Sequence, residues 1–242
     1  MPSPRDVGVV LVAAGQGLRA GAGTPKQFRE VAGVPLALRA LRPFAAHPAV
    51  SHVALVVPPA TAERPPEWLA SLRGGAIRLV PGGAERQDSV AAGVNALPAE
   101  CSIVLVHDAA RPFVSRAVID AVVDVARTGR AALAAVPVID TVKEAAPAPD
   151  PARPVPVLRT VPRQALWRAQ TPQGFPRPLL ERALAAAAAA GRSATDDAQM
   201  VEWLGEEVVI VPDDTANMKV TTAFDFELAE LLAARDPSAP GT

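Results

Sequence analysis

The fold of this 242-residue chain is decided by its residues 7–19, VGVVLVAAGQGLR. The apolar half predicts a strand covered on both faces, and the glycine-rich half predicts a turn at the carboxyl end of that strand. Glycines let backbone N–H groups approach phosphate oxygens, while Arg19 and the following Thr24-Pro25-Lys26-Gln27 motif supply two cations. The stretch therefore predicts a polyphosphate site, with an ordinary turn and two surface cations as the alternative.

The glycine turn differs from two common nucleotide-binding fingerprints. Ala20 stands where the dinucleotide pattern G-x-G-x-x-G has its last glycine, and an arginine lies inside the turn. The chain also lacks the G-x-x-x-x-G-K-[ST] sequence of a P-loop. We therefore expect a phosphate-binding turn of another kind.

Composition narrows the classes of function. Half of the residues are hydrophobic, which allows a sizeable core, and a formal net charge of −1 gives no global attraction to nucleic acid or to an anionic membrane. The aromatic content of 4 %, with no tyrosine, argues against a base-stacking surface. One cysteine, Cys101, excludes an intrachain disulfide, and three scattered histidines give no zinc-ligand spacing.

Targeting signals are also absent from the sequence. No apolar stretch reaches the roughly 18 residues of a membrane span, and no signal-peptide core precedes the first strand. We expect a cytoplasmic protein that binds neither nucleic acid nor membrane.

Apolar, β-branched runs alternate with helical stretches, which predicts an α/β layered fold with a mostly parallel sheet. Ligands in such sheets lie at the carboxyl ends of the strands, and this rule places Gly15, Asp108 and Pro137 on one rim. The predicted strands are Val7–Ala13, His52–Val57, Ile77–Val80, Ile103–Val106, Ala132–Val136 and Val208–Val211, and the predicted helices are Pro35–Ala46, Glu85–Ala96, Ser115–Thr128, Pro176–Ala190 and Thr222–Ala234. Apolar residues at helical spacing in the last helix predict core packing; they are Phe224, Leu228, Leu231 and Leu232.

One segment, between Pro137 and Trp167, breaks the alternation. It predicts two short strands joined by the Pro/Ala-rich stretch 145–156. An excursion of this kind is usually functional or an oligomer contact, and a disordered insertion is the alternative. We expect residues 1–242 to form a single domain with 137–167 as a β-arm.

Two glycines, Gly82 and Gly83, follow the third predicted strand and free the backbone for close contact with a ligand. A helix that begins at Glu85 places Arg86 and Ser89 on adjacent turns of one face. The pattern predicts base or ribose recognition, and an ordinary glycine turn before a polar helix start is the alternative.

The string His107-Asp108-Ala109-Ala110-Arg111-Pro112 ends the most apolar strand. An aspartate there suits a metal or hydroxyl contact, and Mg²⁺ prefers one or two carboxylates together with substrate phosphates. The alternative is that Asp108 caps the next helix and pairs with Arg111. His107 is flanked by apolar residues and is predicted to be a core histidine.

Three smaller clusters remain. Arg163 and Thr171 flank an apolar Leu-Trp pair, and Thr195 is a natural N-cap for a helix that begins at Asp196-Asp197. Lys219 precedes the last helix and, taken alone, is an ordinary surface cation.

Taken together, these motifs resemble the 2-C-methyl-D-erythritol 4-phosphate cytidylyltransferase family from about residue 7 to residue 234. The motifs that carry the resemblance are Leu11–Gly17 with Arg19, Thr24–Phe28, Gly82–Val90, Val106–Pro112, Asp140–Lys143, Thr171–Gln173, Thr195-Asp196 and Lys219–Thr221. It implies a three-layer, Rossmann-like nucleotidyltransferase fold with a protruding β-arm. It also implies transfer of CMP from CTP to methylerythritol phosphate, with release of pyrophosphate and with Mg²⁺ as cofactor.

The resemblance also implies roles for individual residues. Arg19, Lys26 and Lys219 are expected to be catalytic, and Asp108 is expected to hold the metal. The expected nucleotide-binding residues are Ala13, Ala14, Gly15, Gly17, Gly82, Gly83, Ala84, Arg86 and Ser89, and the expected substrate-binding residues are Asp108, Arg111, Thr141, Arg163, Thr171, Thr195 and Lys219. A homodimer is expected, in which the arm brings Thr141 and Arg163 to the partner's site.

Three alternatives stay open on the sequence. A pentitol-phosphate cytidylyltransferase, such as one using ribitol 5-phosphate, shares the CTP half and differs in the acceptor contacts. A sugar-nucleotide pyrophosphorylase uses another base. A catalytically silent nucleotide-binding module belongs to a different class, and the presence of Arg19, Lys26 and Asp108 together argues against it.

Overall fold

The computed structural model describes residues 4–15, 25–72, 76–147, 150 and 153–235. Within these ranges the strands are β1 (Val7–Val12), β2 (Glu30–Val31), β3 (Val34–Pro35), β4 (Val50–Val57), β5 (Ile77–Pro81), β6 (Ile103–Asp108), β7 (Ala131–Pro137), β8 (Val142–Ala145), β9 (Val157–Val161), β10 (Trp167–Pro176) and β11 (Val208–Pro212). The helices are α1 (Leu36–Ala45), α2 (Pro59–Glu63), α3 (Glu67–Ala70), α4 (Arg86–Ala96), α5 (Arg116–Arg127), α6 (Arg177–Ala189), α7 (Asp197–Glu202) and α8 (Ala223–Ala234).

A seven-stranded sheet forms the centre, in the order β11-β7-β10-β6-β1-β4-β5. β10 runs antiparallel to both of its neighbours, and the other pairs are parallel. The mostly parallel sheet is therefore confirmed. β10 itself is not among the predicted strands, because its Thr-Pro step and polar residues give no continuous apolar run.

Two apolar clusters cover the faces of the sheet and make three layers. One cluster joins β1, β4 and β6 to α1, α3 and α5, and the other joins β1 and β6 to α4, α6 and α7. Strands that are covered on both faces are apolar throughout, which is why β1 and β6 are almost entirely buried. The layers leave the carboxyl ends of the parallel strands as an open rim.

The core prediction for α8 is wrong at its apolar stripe. Phe224 and Leu231 are 70 % and 62 % exposed, and Leu228 is 38 % exposed. The buried residues of α8 are Phe226, Ala229 and Ala233, which pack against Val31, Leu36 and Val220. Helical spacing identifies an apolar stripe, but the helix presents its adjacent face to the small β2–β3 hairpin.

The 137–167 segment contains the two strands that the sequence predicts. β8 and β9 form an antiparallel hairpin outside the central sheet. Lys143 Nζ donates to Thr160 Oγ1 at 2.7 Å across the hairpin, and Arg159 pairs with Glu144 at 2.5 Å. Exposed apolar side chains lie along this segment; they are Ile139, Val155, Val157, Leu158 and Trp167.

Candidate active site

The turn after β1 is held by a buried glutamine. Gln27 is 3 % exposed, and its Nε2 donates to the carbonyl oxygens of Ala13 at 2.7 Å and Gly15 at 3.0 Å. These bonds keep Ala13, Ala14 and Gly15 beside the rim. The sequence motif contains Gln27, but only the fold shows that it stabilises the turn.

The loop after β5 reaches the same place because Gly82 has no side chain. A Cβ on Gly82 would collide with Cβ of Ala14 and would lie 2.9 Å from Ser89 Oγ. Ser89 is buried at the start of α4, where its Oγ accepts from Gly83 N at 3.2 Å and donates to Glu85 O at 3.1 Å. The structure thus brings the turn after β1 and the loop after β5, the two glycine loops, into contact. The resemblance to the family had assigned both of them to nucleotide binding.

Asp108, the last residue of β6, lies between two cations. Its Oδ2 accepts from Lys219 Nζ at 2.6 Å, and its Oδ1 accepts from Arg86 Nη2 at 3.3 Å. Burial alone would raise the pKa of Asp108, but Lys219 and Arg86 hold the pKa well below its ordinary value. The carboxylate is therefore ionised at neutral pH, and Lys219 is not an ordinary surface cation.

Arg86 makes a second contact that the sequence did not predict. Its guanidinium forms a two-point pair with the fully buried Asp197, with Nη1–Oδ1 at 2.9 Å and Nη2–Oδ2 at 2.7 Å. Burial opposes the charged forms of both groups, while Asp197 and Asp108 together raise the pKa of Arg86. Burial raises the pKa of Asp197, and Arg86 acts in the opposite direction. The two-point geometry is that of an ion pair between a carboxylate and a guanidinium. Asp197 thereby aims Arg86 at the rim.

His107 is fully buried, as predicted for a core histidine, and it connects the rim loops. Its Nε2 donates to Arg111 O at 2.9 Å, and its Nδ1 lies 3.0 Å from Thr171 Oγ1. Thr171 Oγ1 also accepts from Asp108 N at 3.1 Å, so its own hydrogen is available to His107. Burial lowers the pKa of His107 to about 4, so the ring is neutral at pH 7.

Arg111 does not pair with Asp108, which was the alternative that the sequence left open. Its Nη1 donates to the backbone carbonyl of Asn217 at 2.8 Å. Asp108 is not a helix cap either, because the N-cap of α5 is Ser115, whose Oγ accepts from Val118 N. Thr195 is exposed, and the N-cap of α7 is Asp196 rather than Thr195, because the Asp196 side chain accepts from Gln199 N at 2.9 Å.

Two cavities meet at this cluster. The first, of about 370 Å³, lies between the glycine loops, and its lining includes Ala13, Ala14, Gly15, Lys26, Gly83, Ala84 and Ser89. The second, of about 270 Å³, lies against β10 and α7, and its lining includes Arg111, Gln170, Thr171 and Thr195. Arg86, Asp108 and Lys219 line both cavities. Anions in the two cavities would therefore face the same charged wall.

Some predicted residues lie elsewhere. Arg19 and Gly17 are outside the described residues. Thr141 and Arg163 are exposed on the arm and line neither cavity of their own chain; Arg163 Nη1 donates to Ile139 O. A larger cavity of about 630 Å³ lies among α1, α5 and α8 and contains none of the predicted residues. Its lining has arginines but no carboxylate, and it shares no residue with the linings of the two smaller cavities.

The donor set suits a metal only in combination with a ligand's own oxygens. Among the described residues no three histidine, cysteine, aspartate or glutamate side chains form a cluster that could hold a metal ion. Asp108 is an ionised carboxylate that lines both cavities. One carboxylate plus substrate phosphates is the set that Mg²⁺ prefers, so Asp108 fits that ion.

This chain is similar to known proteins in both its sequence and its fold. The family model of 2-C-methyl-D-erythritol 4-phosphate cytidylyltransferase matches residues 7–235. A protein of that name from Streptomyces coelicolor is 46 % identical over 237 residues, which cover 96 % of this chain and 87 % of that protein. The crystal structure of the protein of that name from Thermus thermophilus has a TM-score of 0.75 and 38 % identity, and the match covers 93 % of this chain and 98 % of that chain. The chain therefore belongs to the 2-C-methyl-D-erythritol 4-phosphate cytidylyltransferase family.

Proposed function

We propose that the two cavities bind the two substrates of the family's reaction, CTP and 2-C-methyl-D-erythritol 4-phosphate. An oxygen of the acceptor phosphate attacks the α-phosphorus of CTP, and the bond from that phosphorus to the β-phosphate oxygen breaks. The products are 4-diphosphocytidyl-2-C-methyl-D-erythritol and pyrophosphate. The observation that carries this proposal is the wall of Arg86, Asp108 and Lys219 shared by both cavities.

The larger of the two cavities suits the nucleotide. Backbone groups at Ala13–Gly15 and Gly83–Ala84, with Ser89, line a pocket for the base, and Lys26 lies at its edge. Lys26 Nζ donates to Val220 O at 3.3 Å, which keeps it beside Lys219. With Arg19, these cations offset the negative charge of the transition state and of the leaving pyrophosphate.

The smaller cavity suits the acceptor. Arg111 and Lys219 supply positive charge, the Thr195 hydroxyl supplies a hydrogen bond, and Thr171 Oγ1 can accept one more. A phosphate monoester is largely a dianion at neutral pH, because its second pKa is about 6. The reaction therefore needs no general base. A buried, neutral His107 that takes no part in the reaction agrees with this.

Mg²⁺ is the cofactor of the proposed reaction, and Asp108 would hold it together with phosphate oxygens of CTP. The ion supplies charge neutralisation at the phosphates. Lys219 lies 2.6 Å from Asp108 Oδ2 and would remain a cation for the acceptor phosphate if Asp108 held the metal.

The proposed enzyme is a homodimer. Support comes from the arm, where large apolar side chains are exposed and where Thr141 and Arg163 line neither of the two cavities of their own chain. Exposed apolar patches of this kind commonly mark interaction surfaces. We place the dimer in the cytoplasm. Cys101 is buried and unbridged, and none of the described helices is long and apolar enough to cross a bilayer.

The test measures pyrophosphate release with CTP and Mg²⁺. The protein is given methylerythritol phosphate in one reaction and ribitol 5-phosphate in a parallel one. We expect release with the former only, and none without Mg²⁺. Release only with ribitol 5-phosphate would overturn the acceptor assignment, and no release with either would overturn the activity. Lys26→Ala should lose about 10²–10³ in rate while CTP still binds.

A further inference from the structure

Asn217 connects the elements that form the acceptor cavity, although it lines neither cavity itself. It is 1 % exposed and lies between β11 and α8, two residues before Lys219. Its backbone oxygen accepts from Arg111 Nη1 at 2.8 Å and from Gln170 Nε2 at 3.0 Å. A single carbonyl thus holds one side chain from the loop after β6 and one from β10.

The Asn217 side chain fixes where that carbonyl lies. Its Nδ2 donates to Thr171 O at 2.8 Å and to Asp213 Oδ2 at 2.6 Å. Both partners can only accept, so the orientation of the amide is determined by its surroundings. The side chain therefore anchors the 213–219 loop to β10, and Lys219 is carried by the same loop.

The network around Asn217 keeps unused hydrogen-bonding capacity. Arg111 Nε, Gln170 Oε1 and Asn217 Oδ1 are buried and have no hydrogen-bond partner among the described residues. Buried polar atoms in native proteins are almost always paired, so three unpaired atoms in one network point to a ligand-dependent arrangement. Arg111 and Gln170 line the acceptor cavity, so the network around Asn217 borders the place that a polyol phosphate would occupy.

We propose that Asn217 is a positioning residue of the acceptor half-site, which holds Arg111, Thr171 and Lys219 at the spacing that a polyol phosphate requires. The inference rests on the proposed function and assigns a role to a residue that touches no reacting atom. The CTP cavity depends less on this residue, because Lys219 is the one residue of the 213–219 loop in its lining. The side-chain and carbonyl hydrogen bonds of Asn217 lead to Arg111, β10 and Asp213 and not to the glycine loops.

The test compares Asn217→Ala and Asn217→Asp with wild type. Asn217→Asp keeps the shape but replaces the donor with an oxygen that faces Thr171 O and Asp213. We expect both variants to raise the KM for the acceptor by roughly 5- to 100-fold, the range for a lost buried hydrogen bond, and to leave the KM for CTP within about twofold. Thr215→Ala is the control, since Thr215 is exposed on the same loop and its hydroxyl donates to its neighbour Asp214.

Binding separates this inference from the proposed function. Calorimetric titration of each acceptor uses enzyme saturated with α,β-methylene-CTP, which cannot transfer CMP. Weaker acceptor binding in both Asn217 variants, with normal binding of the CTP analogue, supports the inference even if wild type shows no turnover. Equal losses of both affinities, no loss in either, or no acceptor binding by wild type would each overturn it. If Asn217→Ala does not fold, Asn217→Asp alone decides.

Discussion

The chemistry of the site is concentrated on one carboxylate, Asp108, which lies between Lys219 and Arg86. A buried carboxylate is unfavourable unless it is paired, and here two cations lie against its two oxygens. The same cations face the cavities, so the groups that keep Asp108 ionised are also the groups available to phosphates. Charge balance within the protein and anion binding thus depend on the same residues.

His107 gives a prediction on pH. The pKa of His107 is near 4 in the folded protein against 6.5 in the unfolded chain, so the unfolded chain takes up a proton first as pH falls. Stability should therefore decrease as pH falls below 6.5, by about 2 kcal/mol at pH 5 from this residue. Urea unfolding of wild type and His107→Gln from pH 7 to pH 5 measures it. Parallel pH profiles for the two proteins would contradict the assignment.

Several site residues lack a signal in the sequence. Asp197 follows a Thr-Asp pair that is typical of helix capping, and only the fold shows that it pairs with Arg86, 111 positions away. Asn217 and Gln170 are polar residues without a motif of their own. Their roles depend on which carbonyls the fold brings within reach, and local sequence does not contain that information.

Among the elements, α4 packs against the sheet through a glycine. Gly93 faces β1 and β4, and a Cβ there would overlap Val10 and lie 3.0 Å from Val56 Cγ2. In the sequence this glycine looks like a defect in a helix, because glycine weakens helices relative to alanine. The fold shows that its absent side chain allows the helix to pack against the sheet, and α4 carries Arg86 and Ser89.

Gly93→Ala should therefore destabilise the protein. The gain in helix propensity is about 1 kcal/mol, while overpacking a filled core costs about 1–3 kcal/mol. We expect a net decrease in the free energy of unfolding by urea. Ala91→Gly in the same helix is the control and should lose about 1 kcal/mol through helix propensity, together with the contact that its partly buried methyl group makes with the core. A Gly93→Ala protein more stable than wild type would show that the contact relaxes freely.

The irregular strand β10 forms one side of the acceptor cavity. Its pairing with β7 shifts register between Ala169 and Gln173, so Gln170 and Thr171 leave the regular ladder. Both residues are then available to the acceptor cavity. An antiparallel strand inserted into a parallel sheet thus supplies one side of that cavity.

At the scale of the whole molecule, the proposed dimer makes the site depend on the arm of a second copy. We expect Lys26→Ala and Arg163→Ala to be inactive alone but partly active once mixed and exchanged. A mixed dimer has one site with an intact Lys26 and an intact Arg163, so about a quarter of wild-type activity should return in a two-fold symmetric assembly.

The measurement is pyrophosphate release before and after subunit exchange. Arg153→Ala is the control on the same arm, because Arg153 is exposed near its tip and pairs with Asp150 of the same segment. It should stay fully active by itself. Subunit exchange that is verified by mass spectrometry but restores no activity would contradict a shared site.

That residues 1–242 act as a single domain stays a prediction.

The sequence by itself determined the type of most of the long elements, the apolar strands β1 and β6, the two glycine loops and the family. These features are encoded over a few neighbouring residues by periodicity, turn chemistry and motif. Only the tertiary structure decided that Lys219 meets Asp108, that Asp197 orients Arg86, that β10 enters the sheet and that the apolar stripe of α8 faces outward. Those outcomes depend on which distant segments share burial and hydrogen bonds, and pairing between segments is settled by packing of the whole chain.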